Sequence, residues 1–204
     1  MNDRYLTISD EMTVETKVKA SRFIGQSFLA NSVAEATEKL GTVRKREFAA
    51  GHHCFAYRIG TEGTIPFKYS DDGEPTGTAG KPIYDVILGH ELTNVLLVVT
   101  RYFGGTKLGT GGLTHAYSDT ARQTIERSGV KENFITNLFR IDLEFSLYDR
   151  WRTLAGRLGA REREARFDEA VHLIAEIRRS KAEELKRAVT ELTAGKARIE
   201  PLAE

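Results

Sequence analysis

The chain has little cysteine, little proline and almost no net charge. A single cysteine, Cys54, among 204 residues excludes an internal disulfide and any four-thiolate zinc site, and it suits a reducing compartment. With only four prolines, no proline-rich linker separates parts of the chain. No apolar run approaches the roughly 20 residues that span a bilayer. The opening residues, MNDRYLTISDEMTVETK, are polar and acidic where a secretory leader needs an apolar stretch. A soluble cytoplasmic protein without a membrane partner is the expectation. Lys and Arg number 30 against 29 Asp and Glu, a formal charge of +1. No whole-molecule field therefore points to nucleic acid, and basic surfaces, if present, are local.

Hydrophobic content of 40% and charged content of 29% are ordinary for a globular chain, and the length allows one large domain or two small ones. Texture changes near residue 136, because fifteen of the 18 glycines precede it. Domains of 1–136 and 137–204 follow. In the first, ETKVKASRFIGQSFLA predicts paired strands. SVAEATEKLGTVRKREF predicts a helix opened by Ser32, with Glu35 three residues on as the reciprocal capping partner. HHCFAYRIG and a segment ending near Tyr69 predict strands, GKPIYDVILGHE a helix and NVLLVVT a buried strand. After residue 136, LFRIDLEFSL, AREREARFDE, AVHLIAEIRR and KARIEPLA read as strands. YDRWRTLAGRLG reads as a helix closed by Gly159, and SKAEELKRAVTELTAG as one capped by Ser180 and ended by Gly195. The order βαββαβ is that of a ferredoxin-like sandwich. The fold class is α+β.

Four groups of residues offer chemistry. SDDGEPTGTAGKP sets Asp71, Asp72 and Glu74 within four positions of a loop, enough acid for a divalent cation or an acid and base pair, yet also the composition of a tight turn. Lys81 and Arg101 are candidates to neutralise these acids, since an arginine directly after an apolar strand wants a carboxylate. In HHC, alternation along a strand sends His52 and Cys54 one way and His53 the other, which argues against one metal ion. Arg44, Lys45 and Arg46 fall in the last turns of a helix, where they complement its dipole. Arg161, Arg163 and Arg166 lie along one strand, with Arg178 and Arg179 at the end of the next.

The fourth group is RYFGGTKLGTGG, residues 101–112, with five glycines and two cations. Its spacing fits neither the P-loop nor the dinucleotide fingerprint. Leu113, Ala116, Tyr117, Thr120, Ala121, Thr124 and Ile125 then recur at helical spacing. The segment is thus a strand-to-helix corner, where helix-start amides, Lys107, His115 and Arg122 can receive an anion. A closely packed structural corner explains the glycines equally well.

Three stretches, HHCFAYRIG, SDDGEPTGTAGKPI and VVTRYFGGTKLGTGGL, together resemble the IMPACT family over residues 15–130, and the second part resembles the small domain that bacterial members append. The resemblance implies a first domain similar in fold to the second domain of small-subunit ribosomal protein five and to the fourth domain of elongation factor G, and a second similar to the fifth domain of that factor. It implies association with RNA or the ribosome, and a surface of Asp71, Asp72, Gly73, Glu74, Arg101, Tyr102, Gly104, Gly105, Lys107, Gly109, Gly111 and Gly112. His115 stands where the family usually has arginine. Eukaryotic relatives regulate translation by restraining a stress-activated kinase through an additional N-terminal RWD domain, for which this chain has no room, so that role is not expected.

The expected function is a non-enzymatic RNA- or ribosome-associated factor that regulates translation, with no catalytic residue, metal or cofactor assigned. Tyr102 and Phe103 beside Arg101 and Lys107 offer stacking and charge. The alternatives are a metal-dependent enzyme acting on a phosphorylated small molecule, which needs the acidic and glycine loops in one cleft, and a protein-binding adaptor with a protein partner.

Overall fold

A computed structural model describes residues 3–202. They divide into two compact units, one of Tyr5–Asn133 and one formed by residue 134 onward together with Asp3 and Arg4.

The first unit is built on five strands. β2 (Thr13–Val18), β3 (Ser21–Leu29), β4 (His52–Arg58), β5 (Phe67–Ser70) and β6 (Val95–Tyr102) form a sheet in the order β2-β3-β6-β4-β5, with β1 (Arg4–Ile8) and β7 (Val130–Phe134) as a separate pair. β6 lies at the centre, antiparallel to both neighbours. Its residues Val95–Val99 are wholly buried, as a strand covered on both faces requires. Val95, Leu97 and Val99 meet Cys54 and Ala56 under helices α2 (Gly80–Gly89) and α3 (Gly109–Ser128). Leu96 and Val98 meet Phe55 and Tyr57 under α1 (Val33–Arg46). Arg101 is therefore two residues beyond Val99 on the α2–α3 face, inside a strand whose apolar run in the sequence stops at Thr100.

Capping explains where the helices start. Ser32 Oγ accepts the Glu35 amide at 3.1 Å, while the Glu35 carboxylate takes the Asn31 amide at 2.9 Å, one residue earlier than a reciprocal box would place it. α2 is capped from a distance: Asp71 accepts the amides of Ala79 and Gly80 at 3.0 and 2.8 Å and that of Gly77 at 2.8 Å. α3 begins on the glycines themselves, so Gly109, Gly111 and Gly112 belong to the helix rather than to a loop before it.

The second unit carries β8 (Thr136–Leu143), α4 (Tyr148–Leu158), β9 (Arg161–Phe167), β10 (Val171–Arg178), α5 (Ala182–Leu192) and β11 (Arg198–Leu202), with sheet order β11-β8-β10-β9. This is the ferredoxin-like arrangement. The apolar alternation of β8 and β10 packs Phe139, Ile141, Leu173 and Ala175 against Trp151, Leu154, Leu185 and Val189 of the helices. Gly159 closes α4 in the left-handed region at φ 73°. Ser180 does not cap α5. It lies in a 3-10 turn, where its amide donates to Asp3 at 3.0 Å, and the helix starts at Ala182.

On the sheet face opposite those helices, several charges are paired. Arg163 pairs with Glu176 and Arg166 with Asp168, and the His172 ring contacts Asp142 at 2.7 Å and Asp168 at 3.0 Å. The hydrogen bond to Asp142, then that to Asp168, raises the His172 pKa, and His172 in turn holds Asp168 down at about 2. A histidine whose folded pKa is raised contributes stability fully below its unfolded value, about 6.5, and loses it as pH rises through the folded value. Thermal stability should accordingly fall above about pH 6.5, and His172→Gln should flatten that decline. An NMR titration of His172 checks the cause, since an unraised pKa would contradict it.

Candidate functional site

The three motif stretches converge at one end of the five-stranded sheet, and a buried ion pair joins two of them. Arg101 leaves β6 with its side chain only 6% exposed, and its Nη1 donates to Glu74 Oε1 at 2.7 Å, whose own side chain is 4% exposed. Tyr117, wholly buried on α3, donates its hydroxyl to the same oxygen at 2.7 Å. Arg101 Nη2 and the Gly104 amide both donate to Ser21 Oγ at 3.3 Å. Phe23 and Phe103 lie 5.5 and 5.3 Å from the guanidinium carbon. Arg101 Nε is buried without a partner among the described residues.

The acidic loop is bound to the start of β4 as tightly as to β6. Asp72 accepts the His53 amide at 2.7 Å and pairs with Arg44 at 2.8 Å, and its carbonyl meets His52 Nδ1 at 2.9 Å. The Cys54 thiol donates to the Asp71 carbonyl at 2.9 Å. Burial, followed by the surrounding acids, pushes the Cys54 thiol up, against the opposing hydrogen bond with Tyr117, and the side chain is packed in the core. Burial pushes the Tyr117 phenol up as well. Lys81 takes no part here and pairs with Asp85 instead.

The three carboxylates thus serve three structural ends. Asp71 caps α2, Asp72 fixes β4 and Arg44, and Glu74 neutralises Arg101. Among the described residues no group of three or more His, Cys, Asp and Glu is arranged to hold a metal ion. The basic run at the end of α1 is likewise used in part, since Arg46 pairs with Glu47.

The glycine segment divides into packing and open surface. At Gly104 a Cβ would sit 1.9 Å from the Ala20 carbonyl oxygen, so no other residue fits. At Gly111 a Cβ would meet nothing within 4 Å and φ is not positive, so packing does not require glycine there. Gly105 and Gly109 take φ of 84° and 74°, and a Cβ at Gly112 would approach Leu108 at 3.2 Å. The first turn of α3 has no side-chain cap and no acidic residue. Lys107 and His115 are exposed beside it. Tyr102 is half-buried, donates to Glu47 at 2.8 Å and lies under Arg22, 4.3 Å from its ring centroid, so one ring face is already covered. Phe103 is 54% exposed and Phe48 82%.

Residues 19–125 match the Impact N-terminal domain, and residues 141–196 match a domain of unknown function, DUF1949. The IMPACT family member YvyE of Bacillus subtilis is 32% identical, over 96% of this chain and 89% of that protein. The chain belongs to the IMPACT family. A solved structure of a hypothetical protein is 27% identical, covers 100% of both chains and superposes with a TM-score of 0.70, consistent with the two-unit architecture found in this IMPACT chain. The two-domain translational regulator Yih1 is 28% identical over 61% of this chain and 47% of its own, at a TM-score of 0.37, too low to bear on fold or function.

Reasoning from sequence missed Ser21, Tyr117 as a hydrogen-bond donor, and Phe48. A tyrosine in the apolar stripe of an amphipathic helix was a usable signal, because a buried phenol needs an acceptor. Stability should separate the buried cation from the exposed one. Arg101→Ala strands a buried carboxylate and should cost about 3–5 kcal/mol, whereas Lys107→Ala should stay within about 0.5 kcal/mol. Denaturant melts of both variants check this.

Proposed function

We propose that this IMPACT protein is a non-enzymatic, RNA- or ribosome-associated factor acting in translation, and that it binds through the corner formed by Phe103, Lys107 and the start of α3. The observation that carries this reading is Gly111, an exposed helical glycine with no packing reason to be glycine, in a first turn whose amides lack a side-chain cap. Bare backbone at a helix start lets a phosphate oxygen come close, and Lys107 adds charge. Phe103 offers an aromatic face for an unpaired base. Membership of the family and the role implied for its relatives favour the same reading; the poor superposition on Yih1 contributes nothing to it.

Catalysis by the acidic loop fits less well, since Asp71, Asp72 and Glu74 are each engaged by structural partners. The acidic and glycine segments do meet, but through a buried ion pair that occupies Glu74, while Asp71 and Asp72 are engaged by backbone amides and Arg44. A second reading, a protein-binding adaptor, is favoured by the exposure of Phe48 and Phe103.

Filter binding of single-stranded and structured RNA tests the proposal. Gly111→Ala should raise stability by about 0.5–1 kcal/mol while weakening RNA binding, and Lys107→Ala should lower the slope of log affinity against log salt by about one. No association at low salt would remove the RNA reading, and capture of a protein free of RNA would favour the adaptor.

A further inference from the structure

A second exposed aromatic surface lies on β5, an edge strand of the sheet. Phe67 and Tyr69, two residues apart, share one face of the strand, and Tyr84 of α2 contacts both, stacked on Phe67 and tilted against Tyr69. The ring centroids are 5.0 Å apart at 19° for Phe67 and 5.7 Å apart at 30° for Tyr69. Yet Phe67 remains 56% exposed and Tyr69 40%. Tyr84 packs against the hydrophobic core of this unit and so anchors the platform made by the two strand rings, which are not themselves among its core residues.

α2 also borders a groove of mixed polar and apolar lining. About 490 Å³ lies between α2 and α3, lined among others by Lys81, Asp85, His90, Thr114, Ser118 and Arg122. Lys81 lines the groove from α2, the helix that also carries Tyr84. Asp85 and Asp119 hold Lys81 and Arg122 in pairs whose side chains are about half exposed, and such pairs are weak enough for a phosphate to displace.

We propose that single-stranded RNA crosses this surface, with unpaired bases stacked on Phe67 and Tyr69 and the sugar-phosphate backbone passing Lys81 into the α2–α3 groove. The inference rests on the RNA-binding reading above and adds to it a contact site separate from the glycine corner. Two observations favour nucleic acid over a peptide. The groove sets hydroxyls, an imidazole and paired charges among the apolar surface of Pro82 and Val86, so an apolar helix laid in it would bury polar groups without partners. The free edge of β5 is only four residues long and follows Pro66, which makes it a poor template for an added strand. Stacking with charge beside it is the usual chemistry of sequence-tolerant single-strand binding.

The test uses the full chain and a fluorescent 12-residue uridine oligonucleotide, read by anisotropy across a salt series. Phe67→Leu and Tyr69→Leu should each weaken binding at least about fivefold, Phe67→Tyr should bind as the parent does, and Lys81→Ala should lower the salt slope by about one. Melting curves check that the leucine variants fold, and if one melts early, the Lys81→Ala slope decides. Leucine variants that bind normally while Lys107→Ala is weakened would overturn the platform and leave the RNA reading standing, as would equal losses in Phe67→Leu and Phe67→Tyr or an unchanged Lys81→Ala slope. Absence of binding by the parent protein at low salt would overturn both.

Discussion

Arg101 lies at the end of a central strand with its guanidinium almost entirely out of water, and the Glu74 carboxylate is what makes that burial tolerable. Two ions of this size each lose several kcal/mol of hydration on burial, so the pair persists only where geometry and further hydrogen bonds compensate. Here Tyr117 donates to the same carboxylate oxygen and Ser21 accepts from the guanidinium. These four residues come from β3, β6, α3 and the loop before α2, so the ion pair fixes the relative placement of all four. With Glu74 held, the loop can bring Asp71 to the start of α2 and Asp72 to the start of β4.

This constraint accounts for the character of the surface above it. The acids that look catalytic in the sequence are engaged in capping, in strand anchoring and, for the buried Glu74, in neutralising Arg101. What stays outside is Lys107, an aromatic face at Phe103 and bare backbone at the head of α3.

Much of the fold was legible because its signals are local. Ser32 with Glu35, the helical recurrence of Leu113 to Ile125, and the alternating strands of the second unit each state their structure within a few residues. The site was less legible because its decisive contacts are not local. Glu74 and Arg101 are 27 residues apart, and an arginine at the end of an apolar run reads as the point where a strand leaves the core. Asp71 caps a helix from eight and nine residues upstream, where a loop acid is easily taken for a ligand. Glycine at 109, 111 and 112 suggests a loop by propensity, whereas the packing of Leu113 and Tyr117 carries the helix back through it. Ser180 failed as a cap for a related reason, since Asp3, far away in sequence, engages its amide.

The most direct measurement is a double-mutant cycle on the buried pair, using Glu74→Leu, Arg101→Met and both together, followed by chemical denaturation. If the pair organises the corner, each single change should be severe and the double variant should recover much of the loss, with a coupling of several kcal/mol, because no buried charge is then left alone. Losses that simply add would contradict the account and place the organising contact elsewhere.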